Sequence, residues 1–143
     1  MHQATYDDVN LILKLYDMRR EERLRAARAW FSASFKVKTL ADFNTLCPTG
    51  SETNAFARQV MTYWDMVGSF IEAEVLDREL FYKSGRELLF VWLRVQPFLG
   101  EWRAAIKDPN FLENLESVGN AFAGHYRKRS QDAFEAFAAR VRD

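Results

Sequence analysis

The stretch that decides the fold runs from Tyr63 to Arg103 and reads YWDMVGSFIEAEVLDRELFYKSGRELLFVWLRVQPFLGEWR. Three of the four tryptophans, Trp64, Trp92 and Trp102, lie in it. Its apolar residues recur at three- and four-residue intervals, the signature of one helical face rather than of a strand. A turn signal, Val75-Leu76-Asp77, divides it into two helical segments that can fold back on each other. The rest of the chain shows no period-2 runs of β-branched residues bounded by turn pairs. The predicted class is all-α, an irregular or orthogonal bundle of about five to seven helices.

Length and composition bound the answer. A chain of 143 residues is read as a single domain, residues 1–143. It is long enough to bury roughly two thirds of its unfolded surface without a disulfide or a metal. Hydrophobic residues make up 48% and charged residues 28%, in the globular range. Twelve Phe, five Tyr and four Trp supply a bulky core, since each large ring buries on the order of 150–250 Å². Basic and acidic residues balance at 20 each, against the basic excess that nucleic-acid binding requires. Cys47 is the lone cysteine, so no intramolecular disulfide can form, and a reducing compartment, the cytoplasm, is expected. No charged start followed by an apolar run marks a signal peptide. The apolar stretches Leu11–Leu15 and Leu88–Val95 carry Lys14 and Arg94 and fall short of the ~20 residues of a bilayer span. Direct membrane insertion is therefore not expected.

Taken in order, Thr5-Tyr6-Asp7-Asp8 reads as a helix start. The predicted helix is long, about residues 6–34, with Tyr6, Val9, Leu13 and Tyr16 on one face and a mixed-sign section from Arg19 to Arg28. That section reads as a solvated face with i,i+4 pairs. Thr39 opens a short helix of about 39–46, and Ser51 caps the next, whose stripe is Phe56, Val60, Trp64, Val67 and Ile71. Gly68 inside that helix points to a close crossing. Asp77 caps a short helix of about 77–83. From Arg86 a helix apolar nearly all round should be the centre of the bundle. Pro97 kinks or ends it, and a continuation carries Phe98, Leu99, Trp102 and Ile106. Asp108-Pro109 reads as a restart with Asp as N-cap, followed by a stripe of Leu112, Leu115, Val118, Phe122 and Tyr126. The helical core spans about 51–128, and a C-terminal helix about 131–142 carries Phe134, Phe137 and Val141.

No catalytic, metal-ligating or cofactor-binding residues emerge. His2 and His125 are the only histidines, and neither follows a Glu at the spacing of a di-iron bundle. Cys47 has no partner near it in sequence, and activating it would require a base brought close by the fold. Glu72, Glu74, Asp77 and Glu79 cluster near the central turn, where acids serve as caps. Arg94, set in the most apolar run, should be paired, reach solvent or face a partner; Glu87, Glu113 and Glu116 are its candidate partners. Trp64, Trp92, Arg94, Phe98 and Trp102 are the candidate lining of an apolar pocket, although aromatic stripes at this spacing more commonly form solid core.

The wording from Tyr63 to Glu116 resembles a set of small bacterial all-helical proteins of a domain-of-unknown-function family. The matching features are Tyr63-Trp64, Leu76-Asp77-Arg78-Glu79-Leu80, Trp92, and the segment from Arg103 through Asp108-Pro109 to Glu116. The resemblance implies an all-α fold and a bacterial origin. It implies a membrane helix ahead of the domain in some relatives, and it brings no activity and no catalytic residue.

The expected function is a non-catalytic cytoplasmic interaction or regulatory module, homodimeric through the first helix, with Leu11 and Leu15 as candidate interface residues or with an unknown protein partner. The alternative is a small-molecule-binding module with its pocket among the aromatic helices. No cofactor is expected in either.

Overall fold

The computed structural model describes residues 3–143, so His2 lies outside it. Among the described residues there are eight helices and no strand: α1 (Tyr6–Arg19), α2 (Glu22–Ser34), α3 (Leu40–Leu46), α4 (Glu52–Glu72), α5 (Arg78–Tyr82), α6 (Arg86–Ile106), α7 (Glu113–Arg129) and α8 (Gln131–Arg142). They form a packed helical bundle. α7 lies against both α4 and α6, α2 packs on α4, α8 closes over α6 and α7, and α3 sits on α6.

α6 is the central helix, with ten buried residues, more than any other. It does not end at Pro97 but runs on through it to Ile106. Proline removes one backbone bond, but Leu93 and Val95 before it and Phe98, Leu99 and Trp102 after it are all buried, so both halves are anchored in the core. α4 buries Val60, Trp64, Val67 and Ile71 as its spacing predicts. Gly68 is where α7 comes closest: a Cβ there would stand 2.8 Å from the Asn114 carbonyl oxygen.

The caps of α1, α3, α4 and α5 fall where the sequence places them. Thr5 and Asp8 form a reciprocal capping box on α1. Thr39 accepts from Asp42 N, Ser51 from Asn54 N and Asp77 from Leu80 N. Asp8 goes further than a cap. Its carboxylate also accepts from the backbone N–H of Asp77 at 2.7 Å, which ties the start of α1 to the start of α5.

Two boundaries differ from the sequence reading. The long helix of 6–34 is two helices. α1 stops at Arg19, and Glu21, with extended backbone (ψ 143°), caps α2 by accepting from the N–H groups of Arg23 and Leu24. Those backbone bonds, Arg23 first, hold the Glu21 carboxyl below its usual range. A residue read as one of several surface charges is in fact a helix start. Second, Asp108-Pro109 does not open a helix. Asp108 holds a turn by accepting from Asn110 N, Leu112 adopts a left-handed conformation (φ 58°), and α7 begins at Glu113. The acceptor for α7 comes from another helix, as Asp65 of α4 takes the N–H of Leu115 at 2.9 Å. At the far end of α7, Ser130 breaks the chain and caps α8 through Ala133 N, so the tail is a separate helix.

Candidate functional site

The residues proposed as a pocket lining pack as solid core. Trp64, Trp92, Phe98 and Trp102 are each at most 3% exposed. Phe98 stacks on Phe43 and on Trp102, and Trp102 meets Phe111 edge-on. The space beside Trp64 is about 10 Å³, room for a single water at most and far too small for a ligand. The two tryptophan N–H groups are satisfied within the bundle, Trp92 by Asn120 and Trp64 by Glu87.

Arg94 is buried and pairs with none of its expected carboxylates. Its Nε donates to the Val141 carbonyl at 2.7 Å, and its Nη1 donates to the carbonyls of Phe31, Ser32 and Phe35 at 3.1, 3.2 and 2.9 Å. These oxygens belong to the last turns of α2 and α8, where helix dipoles present partial negative charge. The guanidinium also lies 4.5 Å from the centre of the Phe90 ring. Arg94 is thus a tie between two helix ends, and burial lowers its pKa. Two of the three acids expected to pair with it, Glu116 and Glu87, are engaged elsewhere. Glu116 pairs with Arg103 at 2.9 Å, and Arg103 also donates to the Phe111 carbonyl, closing the loop between α6 and α7.

Glu87 pairs with Arg28 instead. The two form a fork, Nε to Oε2 at 2.8 Å and Nη2 to Oε1 at 2.7 Å, the bidentate geometry that makes an arginine–carboxylate pair strong. Arg28 donates in addition to the Arg19 carbonyl at the end of α1, and the bond with Glu87 raises its pKa. Beside this pair the Tyr63 hydroxyl donates to the Leu15 carbonyl at 2.5 Å, and burial pushes its pKa up. One polar network therefore joins α1, α2, α4 and α6. It was not legible in the sequence, because Arg28 and Glu87 are 59 residues apart.

An open cleft of about 640 Å³ lies over this network. α1 and α2 form one wall with Arg19, Arg25 and Arg28; α6 and α8 form the other with Arg86, Phe90 and Phe137. A second cleft of about 570 Å³ adjoins it through Ser84 and Arg86, and its lining includes Lys83, His125 and Arg129. His125 lies tilted against Tyr82, ring centres 4.6 Å apart, and 3.8 Å from the exposed Glu79. Cys47, at the end of α3, is 1% exposed, and burial pushes its thiol up to about 11.

The first helix reverses the sequence expectation. Leu15 is 3% exposed and packs in the core, with Leu11 and Ile12 against it. The face that stays outside is Tyr6, Val9, Leu13 and Tyr16, at 79%, 43%, 57% and 45% exposure. Leu11 and Leu15 therefore belong to the bundle and are not an outer surface. The spacing identified both faces of α1, and the decision between them came from Asp8, whose carboxylate is drawn inward by Asp77.

These features define a small all-helical bundle whose interior is held by arginine ties at helix ends, and in which no helix among the described residues is long and apolar enough to cross a membrane. The family model for a domain of unknown function, DUF4760, matches residues 4–122, and the chain belongs to that family. The match includes α1 to α6 and α7 as far as Phe122, while α8 lies beyond it. No curated protein matches the chain, and no solved structure does.

Proposed function

We propose that this protein is a non-catalytic cytoplasmic interaction module that pairs with a second copy of itself through the outer face of α1. The observation that carries the reading is the stripe of Tyr6, Val9, Leu13 and Tyr16, all exposed on a folded, capped helix. Large apolar residues gathered on one face mark an interaction surface more often than single exposed ones do.

The occupant follows from the order of the stripe. Its spacing is three, four, three, the spacing of a helix–helix seam, and it reads the same in both directions. Its ends are both tyrosine and its middle is Val and Leu. An antiparallel two-fold axis at the centre sets Tyr6 against Tyr16 of the second copy and Val9 against Leu13. This is the self-complementarity that an isologous dimer requires. A stripe on one 14-residue helix falls at the small end of interface sizes, so the dimer should dissociate on dilution.

A role without catalysis is supported by the two groups best suited to nucleophilic or base chemistry. The Cys47 thiol is enclosed and its pKa is pushed away from the thiolate form, the opposite of an activated nucleophile. His125 is occupied by the Tyr82 ring and Glu79. The compartment is inferred from the single unpaired cysteine.

Sedimentation velocity over a wide concentration series tests the reading. Wild type should move from monomer to dimer, and Leu13→Asp should stay monomeric with an unchanged far-UV circular dichroism spectrum. A wild type that remains monomeric at the highest concentration, or a Leu13→Asp variant that still dimerises, rejects it.

A further inference from the structure

The chain carries no net charge, yet the lining of the cleft between α1, α2 and α6 is strongly one-sided. Four arginines, Arg19, Arg25, Arg28 and Arg86, face a single carboxylate, Glu87. That carboxylate is already engaged, by Arg28 in a bidentate pair and by the Trp64 N–H. Among the described residues none of the other three has an acidic group within ion-pair distance. Arg19 lies over the rings of Tyr16 and Trp64, and Arg86 lies 5.0 Å from the centre of Phe137. Among the described residues Arg25 has neither an ion-pair partner nor a ring contact. The adjoining cleft adds Lys83 and Arg129 on the far side of Arg86.

Guanidinium groups have only donors and stay charged at any physiological pH. Arranged around a concave, partly apolar surface, they concentrate positive potential in one place and raise the local concentration of anions. The floor between them is not polar. Phe31, Val60 and Val91 are buried beneath the cleft and Phe90 is partly exposed to it. α6 begins at this cleft, and its N-cap, Gly85, offers no side-chain acceptor, so the helix dipole adds to the same field. A volume of about 640 Å³ suits a small organic ligand.

The geometry points to a binding site for a small organic anion, an oxyanion such as a carboxylate, phosphate or sulfonate joined to an apolar body, with Arg25 and Arg86 holding the oxyanion and Phe90 and its neighbours receiving the body. Arg28 and Glu87 position the wall and do not bind the ligand, because Arg28 is held by Glu87 and the Arg19 carbonyl, and Glu87 by Arg28 and Trp64. The site is separate from the outer face of α1, apart from Tyr16 at its edge, and it does not require the protein to dimerise.

The probe is 1-anilinonaphthalene-8-sulfonate, a fluorescent sulfonate on a flat apolar body, titrated into the folded full chain. N-phenyl-1-naphthylamine, which lacks the sulfonate, is its uncharged counterpart. The expected result is saturable binding to one site per chain, with the uncharged compound binding at least tenfold more weakly. Arg25→Glu and Arg86→Gln should each weaken the sulfonate about tenfold, the loss of one charge-assisted contact. Both residues are exposed, so these variants should keep the wild-type circular dichroism spectrum. Lys128→Gln, on α7 outside both clefts, should bind as wild type. Absence of saturable binding, equal affinity for the uncharged compound, or unchanged affinity in both arginine variants would each overturn the assignment.

Discussion

Replacing Arg94 with Met tests the claim that one arginine ties the ends of α2 and α8 together. Methionine keeps the length and apolar bulk of the side chain, so the change removes the donors without opening a large cavity. Four carbonyl contacts disappear, between 2.7 and 3.2 Å. They are not four independent bonds, because three of the acceptors share Nη1. Counted as two to three effective bonds to a charged donor at about 1.5–3 kcal/mol each, the gross loss is on the order of 3–9 kcal/mol. The removed guanidinium no longer has to be desolvated, the cost that lowers its pKa in the native state, and this offsets part of the loss. A net destabilisation of about 3–4 kcal/mol follows, within the range for breaking a buried charged contact. For a chain of this size that lowers Tm by roughly 10–15 °C. Arg94→Lys keeps the charge but not the fork, so it should fall between the two. Urea unfolding followed by circular dichroism gives the free energies, and an unchanged m value shows that the unfolded state is comparable. A loss below about 1 kcal/mol would mean that water satisfies these carbonyls as well as Arg94 does, and the tie would not be structural.

Two glycines of α7 should respond in opposite directions. A Cβ on Gly119 would sit 2.4 Å from Trp92 Cγ, so Gly119→Ala should cost about 1–3 kcal/mol by overpacking. Nothing lies within 4 Å of a Cβ on Gly124, so Gly124→Ala should stabilise by about 0.5–1 kcal/mol through helix propensity; both are read from urea midpoints, and equal effects would contradict the packing of α7 on α6. The Cys47 thiol should resist Ellman's reagent in the native protein at mildly alkaline pH and react in denaturant, whereas rapid native labelling would show that α3 does not enclose it. Burial moves that thiol from an ordinary 9.0 to about 11. Between those values the unfolded chain has lost a proton that the native chain still holds. Stability should therefore fall as pH rises through that window, by at most about 1.4 kcal/mol per pH unit. Burial shifts Tyr63 and Tyr82 upward as well, so a Cys47→Ala control isolates the thiol's share, and identical slopes with and without it would refute the assignment.

Local physics was legible in the chain. Periodicity identified α4, α6 and α8 with their buried stripes, because helical spacing is a property of neighbours three and four residues apart. Caps at Thr5, Thr39, Ser51 and Asp77 were legible for the same reason, since each acceptor and its N–H lie within one turn. Other features depended on partners distant in sequence. Glu21 looked like one charge in a mixed run, and only the turn between α1 and α2 made it a cap. Arg94 was recognisable as a buried charge, but its acceptors are helix ends 47 to 63 residues away, and carbonyls carry no sequence signal. α1 has apolar residues on two faces. Asp77, 69 residues on, bonds Asp8 inward and so decided which face was buried. The cationic cleft had no local signature, because Arg25 and Arg86 line one cleft only once α2 and α6 are both packed on α4. The sequence by itself determined an all-helical bundle, the positions of most helices and the residues that fill the core. Which arginines meet carbonyls, which meets a carboxylate and which are left facing solvent was decided by the tertiary structure, because charge pairing depends on distance in space and not along the chain.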